Sequence, residues 1–263
     1  MDLVVVDHYQ LTRDFERDCR TGSARIAIID DLANRPHDAD LLVDATPGRS
    51  DQDYKNLVPE NCRLLLGPLF ALLRREFAVM GDFCSMQRST RAVKRILVCM
   101  GNSDIHDVTS LAMDVLEKRS LEVDVVLGAK SPNCKKVEAR IEKMGSRFRF
   151  HVDTTEMARL MCEADLAIGS CGVSALERCA VGLPAVGIVT AENQRLSAGR
   201  LADRGAIVLA GWWSDLSVRA LGDVLDRTLE RPDGIAALSR AAAQICDGKG
   251  ASRVALEACG YAA

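Results

Sequence analysis

The 263-residue chain predicts an α/β fold of two doubly wound parallel-sheet domains, the first of them incomplete. Three observations carry this prediction. Short β-branched runs alternate with helix-period segments along the whole length, the pattern of parallel βαβ units. A polar stretch at 80–92, containing Gly81-Asp82 and Gln87-Arg88-Ser89-Thr90 and lacking apolar periodicity, divides two such series and reads as a linker. The second series is complete. The first opens in mid-sheet, with a buried-looking strand directly behind Met1-Asp2.

In chain order, β-branched runs predict strands at 3–6, 24–29, 41–43 and 63–66. Helix-period segments at 12–20 and 71–79 complete a partial domain over 1–80. Past the linker, a second domain over 93–263 starts with a strand at 95–100 and a helix at 106–119. Strands at 123–127 and 148–152 then alternate with helices at 133–144 and 156–163. Two buried strands at 164–168 and 185–189 flank a helix opening at Ser174, and a last strand at 206–209 precedes helices at 214–230, 234–246 and 250–258. The final helix is expected to pack back on the first domain.

Composition removes several classes of function. A net charge of −3 gives no electrostatic reason to bind nucleic acid or an anionic membrane. Aromatics make up 4% of the chain, too few for a base-stacking surface. No apolar run has the length of a membrane-spanning helix. The ten cysteines are scattered with no C-x-x-C pair, and many fall on apolar faces. Without a signal peptide they read as reduced thiols of a soluble, cytoplasmic protein.

The most informative segment is 168–194, IGSCGVSALERCAVGLPAVGIVTAENQ. It reads as strand, Gly-Ser-Cys-Gly turn, helix with Glu177 one turn in, second strand, and then Asn193-Gln194 at the next helix start. A small-residue turn lets a phosphate approach N–H groups at a helix amino end, here around Cys171, Gly172 and Ser174. A carboxylate at Glu177 suits ribose hydroxyls. Ser174-x-x-Glu177 also fits a capping box, in which the two side chains only close the helix start. The Gly182-Leu183-Pro184 and Asn193-Gln194 elements at their spacings favour a nucleoside-diphosphate-sugar pocket.

Gly101-Asn102-Ser103-Asp104 repeats the strand-then-turn pattern, and Gly101 and Ser103 are further candidates for the diphosphate, with a plain capped helix as the alternative. Neither a Walker P-loop nor a dinucleotide G-x-G-x-x-G occurs there. Asp7-His8-Tyr9 and Asp30-Asp31 follow strands and face the side where open sheets gather ligands. The segment 34–40 is rich in His and Asp but has no zinc spacing, so no metal is expected. Arg74 sits beside the linker, placed to pair with phosphate or uracil oxygen, or with Glu76. Trp212-Trp213 reads as packing of the terminal helices.

At these residues the chain resembles the UDP-2,4-diacetamido-2,4,6-trideoxy-β-L-altropyranose hydrolase family of pseudaminic acid biosynthesis, a relative of the GT-B glycosyltransferases. VVDHYQL, IIDDLANRPHDADLLVDATPGR, LLGPLFALLRREF, MGNSD, IGSCGVSALERCAVGLP and AENQ carry the resemblance along nearly the whole length. It implies a GT-B-like pair of domains facing a cleft, with a UDP-sugar as substrate and no cofactor. Ser103, Ser174 and the backbone around them would hold the diphosphate, and Glu177 the ribose. Asn193 and Gln194 would face the sugar, and Arg74 would contact substrate from the first domain.

The family places its catalytic histidine in an amino-terminal G-x-G-H-x-x-R loop, which does not occur in this sequence. The expected gap is roughly two strand–helix units of ~30 residues each. The chain reads either as a shortened form or as one whose first part is encoded elsewhere, with His8 the candidate substitute base. Two other readings stand beside hydrolysis: transfer of the sugar to an acceptor, and binding of a UDP-sugar without turnover. The oligomeric state is left open.

Overall fold

The computed structural model describes residues 3–20, 24–88 and 92–260. In chain order its elements are β1 (Leu3–Val6), α1 (Arg13–Asp18), β2 (Arg25–Ile29), β3 (Leu41–Asp44), β4 (Arg63–Leu66), α2 (Arg75–Arg88), β5 (Arg95–Cys99) and α3 (Val108–Glu117). They continue with β6 (Glu122–Leu127), α4 (Cys134–Met144), β7 (Phe148–Val152), α5 (Met157–Glu163), β8 (Leu166–Ser170), α6 (Val173–Ala180), β9 (Ala185–Val189) and α7 (Gln194–Asp203). The last are β10 (Val208–Trp212), α8 (Val218–Leu229), α9 (Pro232–Ala243) and α10 (Gly250–Cys259). The chain forms two compact units, Met1–Arg75 with Gly248–Ala263, and Glu76–Asp247.

In the first unit a four-stranded sheet runs β1-β2-β3-β4, every pair parallel. Side-chain alternation buries Val6, Ile26, Ile28 and Leu42 on one face, where Tyr54 of the β3–β4 connection joins them. The other face presents Ala27, Leu41, Val43 and Leu65, against which Val254 and Ala258 of α10 pack. Gly250 opens α10 so close to the backbone of Ala71 that an added Cβ would overlap it. Arg25 donates to the Ala258 carbonyl at 3.0 Å, and Arg63 pairs with Glu257 at 3.2 Å.

Polar groups lock the connections of this unit. His37 and Glu16, both buried, meet at 2.7 Å and tie the β2–β3 connection to α1. His37 is thus engaged in a structural pair. Beyond the strand ends, the Tyr54 hydroxyl lies 2.9 Å from Asp30 Oδ2 and 2.8 Å from Asp44 Oδ2. Arg35 lies 3.0 Å from the first carboxylate and Arg49 2.5 Å from the second. Burial, followed by the two carboxylates, pushes the Tyr54 hydroxyl far above the ordinary tyrosine range, so it is a donor at any physiological pH.

The second unit holds a six-stranded parallel sheet in the order β10-β9-β8-β5-β6-β7. The order reverses between β5 and β8, which pair in register with Val98 opposite Ile168 and Cys99 opposite Gly169. The central strands β5, β8 and β9 are buried along their length apart from Arg95 at the start of β5, as helices on both sides of a parallel sheet require. Ile96, Val98, Val125, Ile168 and Val186 form the centre of the core, with Met113 and Leu116 of α3 and Leu221 and Leu225 of α8. Asp165 accepts the N–H groups of Lys94 and Arg95 at 2.8 and 2.9 Å, fixing where β5 begins against β8.

Three expectations are corrected. The segment read as a linker is helical through Arg88, as part of α2. Its buried positions Phe77, Gly81 and Cys84 follow helical spacing, but two of the three are small, so the hydrophobic signal is weak. Residues 89–91 lie outside the described residues. The cysteines are not all reduced thiols, since Cys84 of α2 and Cys162 of α5 form a disulfide with Cα atoms 5.2 Å apart. The last strand lies at Val208–Trp212 rather than 206–209. Trp212 carries the Arg195 guanidinium 4.1 Å above its ring, and Trp213 stacks on His106 at 3.8 Å.

Tyr54→Phe leaves Asp30 and Asp44 without their shared donor, so urea unfolding should show a loss of about 1–3 kcal/mol. A second prediction concerns acid. Burial raises the Asp124 carboxyl, but hydrogen bonds from Arg149 and His151 outweigh it and hold the group below its ordinary range. A depressed carboxyl contributes stability above its unfolded value, about 3.9, and loses it as pH falls through the folded value. Asp124→Asn should therefore lower stability at neutral pH and flatten the acid limb of the stability curve below pH of about 4.

Candidate functional site

In an open parallel sheet, ligands collect beyond the carboxyl ends of strands where the strand order reverses. Here that point is flanked by the β5–α3 and β8–α6 turns. The first is built for a tight path. Gly101 has φ +87°, and Asp104 and Asp107 take φ 35° and 56°, a region tolerated by short polar side chains. Asp104 is buried, and its carboxylate accepts the N–H of Val108 at 3.0 Å and of Thr109 at 2.9 Å. The amino end of α3 is thus already capped by an anion of the chain itself. Ser103 is exposed on the outer part of this turn.

The β8–α6 turn differs. Gly169 and Ser170 belong to β8, and Gly172 is the N-cap of α6, with no side-chain cap bond. Ser174 is the second helical residue. Ser174 and Glu177 therefore do not form a capping box, because the helix begins one residue before Ser174 rather than after it. First-turn N–H groups have no acceptor within a helix, and no capping side chain takes those of Val173 and Ser174. These first-turn groups are left for an acceptor from outside the helix, whereas Asp104 takes those of α3.

Gln194 holds this turn to its neighbour. Its Oε1 accepts the Cys171 N–H at 3.2 Å, the Thr190 N–H at 3.0 Å and the Thr190 hydroxyl at 3.2 Å. A Cβ on Gly172 would sit 3.5 Å from Gln194 Nε2, so the carboxamide lies against that glycine. Asn193 is the N-cap of α7 and is exposed. Glu177 is half-buried on α6. Cys171 is buried, with its sulfur over Gly187 of β9, where a Cβ would come within 2.8 Å. Burial pushes the Cys171 thiol up to about 11 against the opposing pull of Arg178. The thiol is protonated at neutral pH and is no nucleophile.

The structure therefore gathers Cys171, Gly172, Ser174 and Gln194 at one place, with Glu177 on the same helix and Gly101 across the strand pair, 3.9 Å from Ser170 Oγ when given a Cβ. His8 and Arg74 belong to the first unit, both exposed. His8 follows β1, and its Nδ1 accepts the Gln10 N–H at 3.1 Å. In the neutral ring this leaves the proton on Nε2. Two functional features escaped the sequence reading. Thr190 supplies two of the three donors to Gln194. Arg178, buried beneath the turn, is signalled only by its i,i+4 spacing from Ser174 on an otherwise apolar helix face.

No protein-family model matches the chain. It is similar to the UDP-2,4-diacetamido-2,4,6-trideoxy-β-L-altropyranose hydrolase of Campylobacter jejuni, 26% identical over 206 residues that cover 78% of this chain and 72% of that protein. It is also similar to the spore coat polysaccharide biosynthesis protein SpsG of Bacillus subtilis, 29% identical over 201 residues, 75% of this chain and 58% of that one. Among solved structures, MurG of Acinetobacter baumannii superposes with a TM-score of 0.67 at 16% identity, covering 96% of this chain and 72% of its own. A UDP-N-acetylglucosamine 2-epimerase superposes with a TM-score of 0.57 at 14% identity, covering 99% and 72%. These structures establish the α/β, GT-B-like fold. The motifs and the curated relatives agree, and the chain is a distant relative of the UDP-diacetamido-trideoxy-altropyranose hydrolase and of SpsG.

Proposed function

We propose that the chain binds a UDP-linked diacetamido-trideoxy sugar and hydrolyses it to UDP and the free sugar. The observation that carries this reading is the uncapped amino end of α6, held open by Gln194 at the switch point of the second sheet. Similarity to the Campylobacter hydrolase supplies the substrate class. The diphosphate would lie on the N–H groups of Val173 and Ser174 and on the Ser174 hydroxyl, with Gly101 and Ser103 lining the neighbouring turn. Glu177 would accept from the ribose hydroxyls. Asn193 and Gln194 would face the sugar, and Arg74 is a further candidate for substrate contact.

In the reaction a water oxygen bonds to the anomeric carbon while the bond from that carbon to the diphosphate oxygen breaks. The bonding pair leaves with UDP, and the water proton passes to a base. N–H groups and the α6 dipole stabilise the charge that grows on the leaving diphosphate. A thiolate route finds no support in protonated Cys171. His8 is the candidate base by its place in the sequence, and its Nδ1 accepts from Gln10; loss of UDP release with UDP binding retained in His8→Ala is the outcome expected of a base.

The decisive assay is UDP release from the UDP-linked sugar with no acceptor added. Steady release matched by free sugar is expected; release that starts only with an added acceptor would make the protein a transferase, and UDP binding with no release a binding protein. Glu177→Ala should weaken UDP and uridine alike, by roughly 1.5–3 kcal/mol in calorimetry. Gln194→Glu keeps the acceptor for Cys171 and Thr190 while adding a negative charge at the anion site. Its melting temperature should match the parent while UDP affinity falls. Gln194→Ala strands those donors and should lose about 1–3 kcal/mol of stability.

A further inference from the structure

Arg178 lies in the last turn of α6, and its side chain runs back toward the amino end, as long helical side chains do. It is 1% exposed. Nη2 donates to the Ser170 carbonyl at 2.6 Å and Nη1 to Ser174 Oγ at 3.3 Å, while Nε is buried without a partner. Neither acceptor is charged. The surrounding thiols do not offset the charge either. Burial pushes Cys171 up to about 11 and Cys179 up to about 12 in spite of Arg178, so both are neutral. Gly169 makes the room, since a Cβ there would come within 2.6 Å of Nη1. A buried guanidinium with only neutral acceptors is costly unless an anion completes its environment.

We infer that Arg178 is the positioning residue of the anion site at the amino end of α6, setting the Ser174 hydroxyl as a donor and holding positive charge behind a bound diphosphate. This rests on the nucleoside-diphosphate reading proposed above. The chemistry follows from donor counting. A hydroxyl that accepts from Arg178 keeps its own hydrogen for another acceptor. Ser174 then offers both its N–H and its O–H to the same phosphate oxygens. The bond to the Ser170 carbonyl turns that negative end inward, away from the anion. Arg178 does not touch the ligand; it acts through Ser174 and through its charge.

The test measures binding of UDP, uridine and inorganic pyrophosphate to the full chain by calorimetry. Arg178→Met should weaken UDP and pyrophosphate by about 10- to 100-fold and leave uridine affinity unchanged. Arg178→Lys, which keeps the charge, should recover part of that loss. Ser174→Ala added to Arg178→Met should cost little more, because the two act as one unit. Equal losses for UDP and uridine, or fully additive losses in the double variant, would overturn the inference. If Arg178→Met does not fold, the same comparison is read from Arg178→Lys with and without Ser174→Ala. Pyrophosphate binding that depends on Arg178, with no gain for UDP over pyrophosphate, keeps the inference and removes the uridine part of the proposed function. A parent protein that binds neither anion removes both.

Discussion

One carboxamide oxygen organises the carboxyl edge of the second sheet. Gln194 Oε1 takes donors from both the β8–α6 turn and the end of β9, so neither turn moves without breaking bonds to the other. The register beneath makes this possible. Ser170 lies opposite Ile188 and Gly169 opposite Gly187, which brings the two strands to their ends within a residue of each other. Gly187 admits the Cys171 sulfur, and Gly169 admits the Arg178 guanidinium, so the turn is supported from below as well as from the side. The small residues in this stretch are there for close approach more than for flexibility.

The two turns at the switch point show how similar sequences lead to different chemistry. Each follows a buried strand, contains small residues and opens a helix. In the β5–α3 turn Asp104 satisfies two orphan N–H groups, and its negative charge repels a second anion. In the β8–α6 turn the capping position is Gly172, which has no side chain to offer. A cap residue placed or withheld therefore decides which helix end is available to a ligand. The first-turn groups near Ser103 are already bonded to Asp104, whereas those at Ser174 have no side-chain cap.

Much of this was legible in the sequence. The β-branched runs locate the ten strands of the described residues, nine of them to within two residues at either end, because short β-branched runs bounded by turn residues leave few other readings. The sequence marks Gly172 and Ser174 by the small-residue turn and Gln194 by its place at the next helix start, and the structure brings Gln194 against that turn. The helix phase was harder. Placing the start of α6 at Ser174 makes Ser174 and Glu177 look like reciprocal caps; the observed start at Val173 turns the Ser174 side chain toward Arg178 instead. The α2 segment was missed because its packing face uses Gly81 and Cys84, and an added Cβ at Gly81 would overlap the Ala180 carbonyl. Close backbone approach and a cysteine pair 78 residues apart leave no periodic trace in a sequence.

The electrostatics of the site favour one end of the proposed substrate. A buried guanidinium and first-turn N–H groups without a side-chain cap lie at the β8–α6 turn, and its thiol is neutral. Such a turn stabilises charge that develops on a leaving diphosphate, whichever oxygen attacks the sugar. Its contribution is the same for hydrolysis and for transfer. What separates the two reactions must act at the sugar and at the base that takes the proton. Substitutions at Arg178 or Ser174 should therefore slow either reaction without changing its product, while a change of product should follow only from residues that face the sugar.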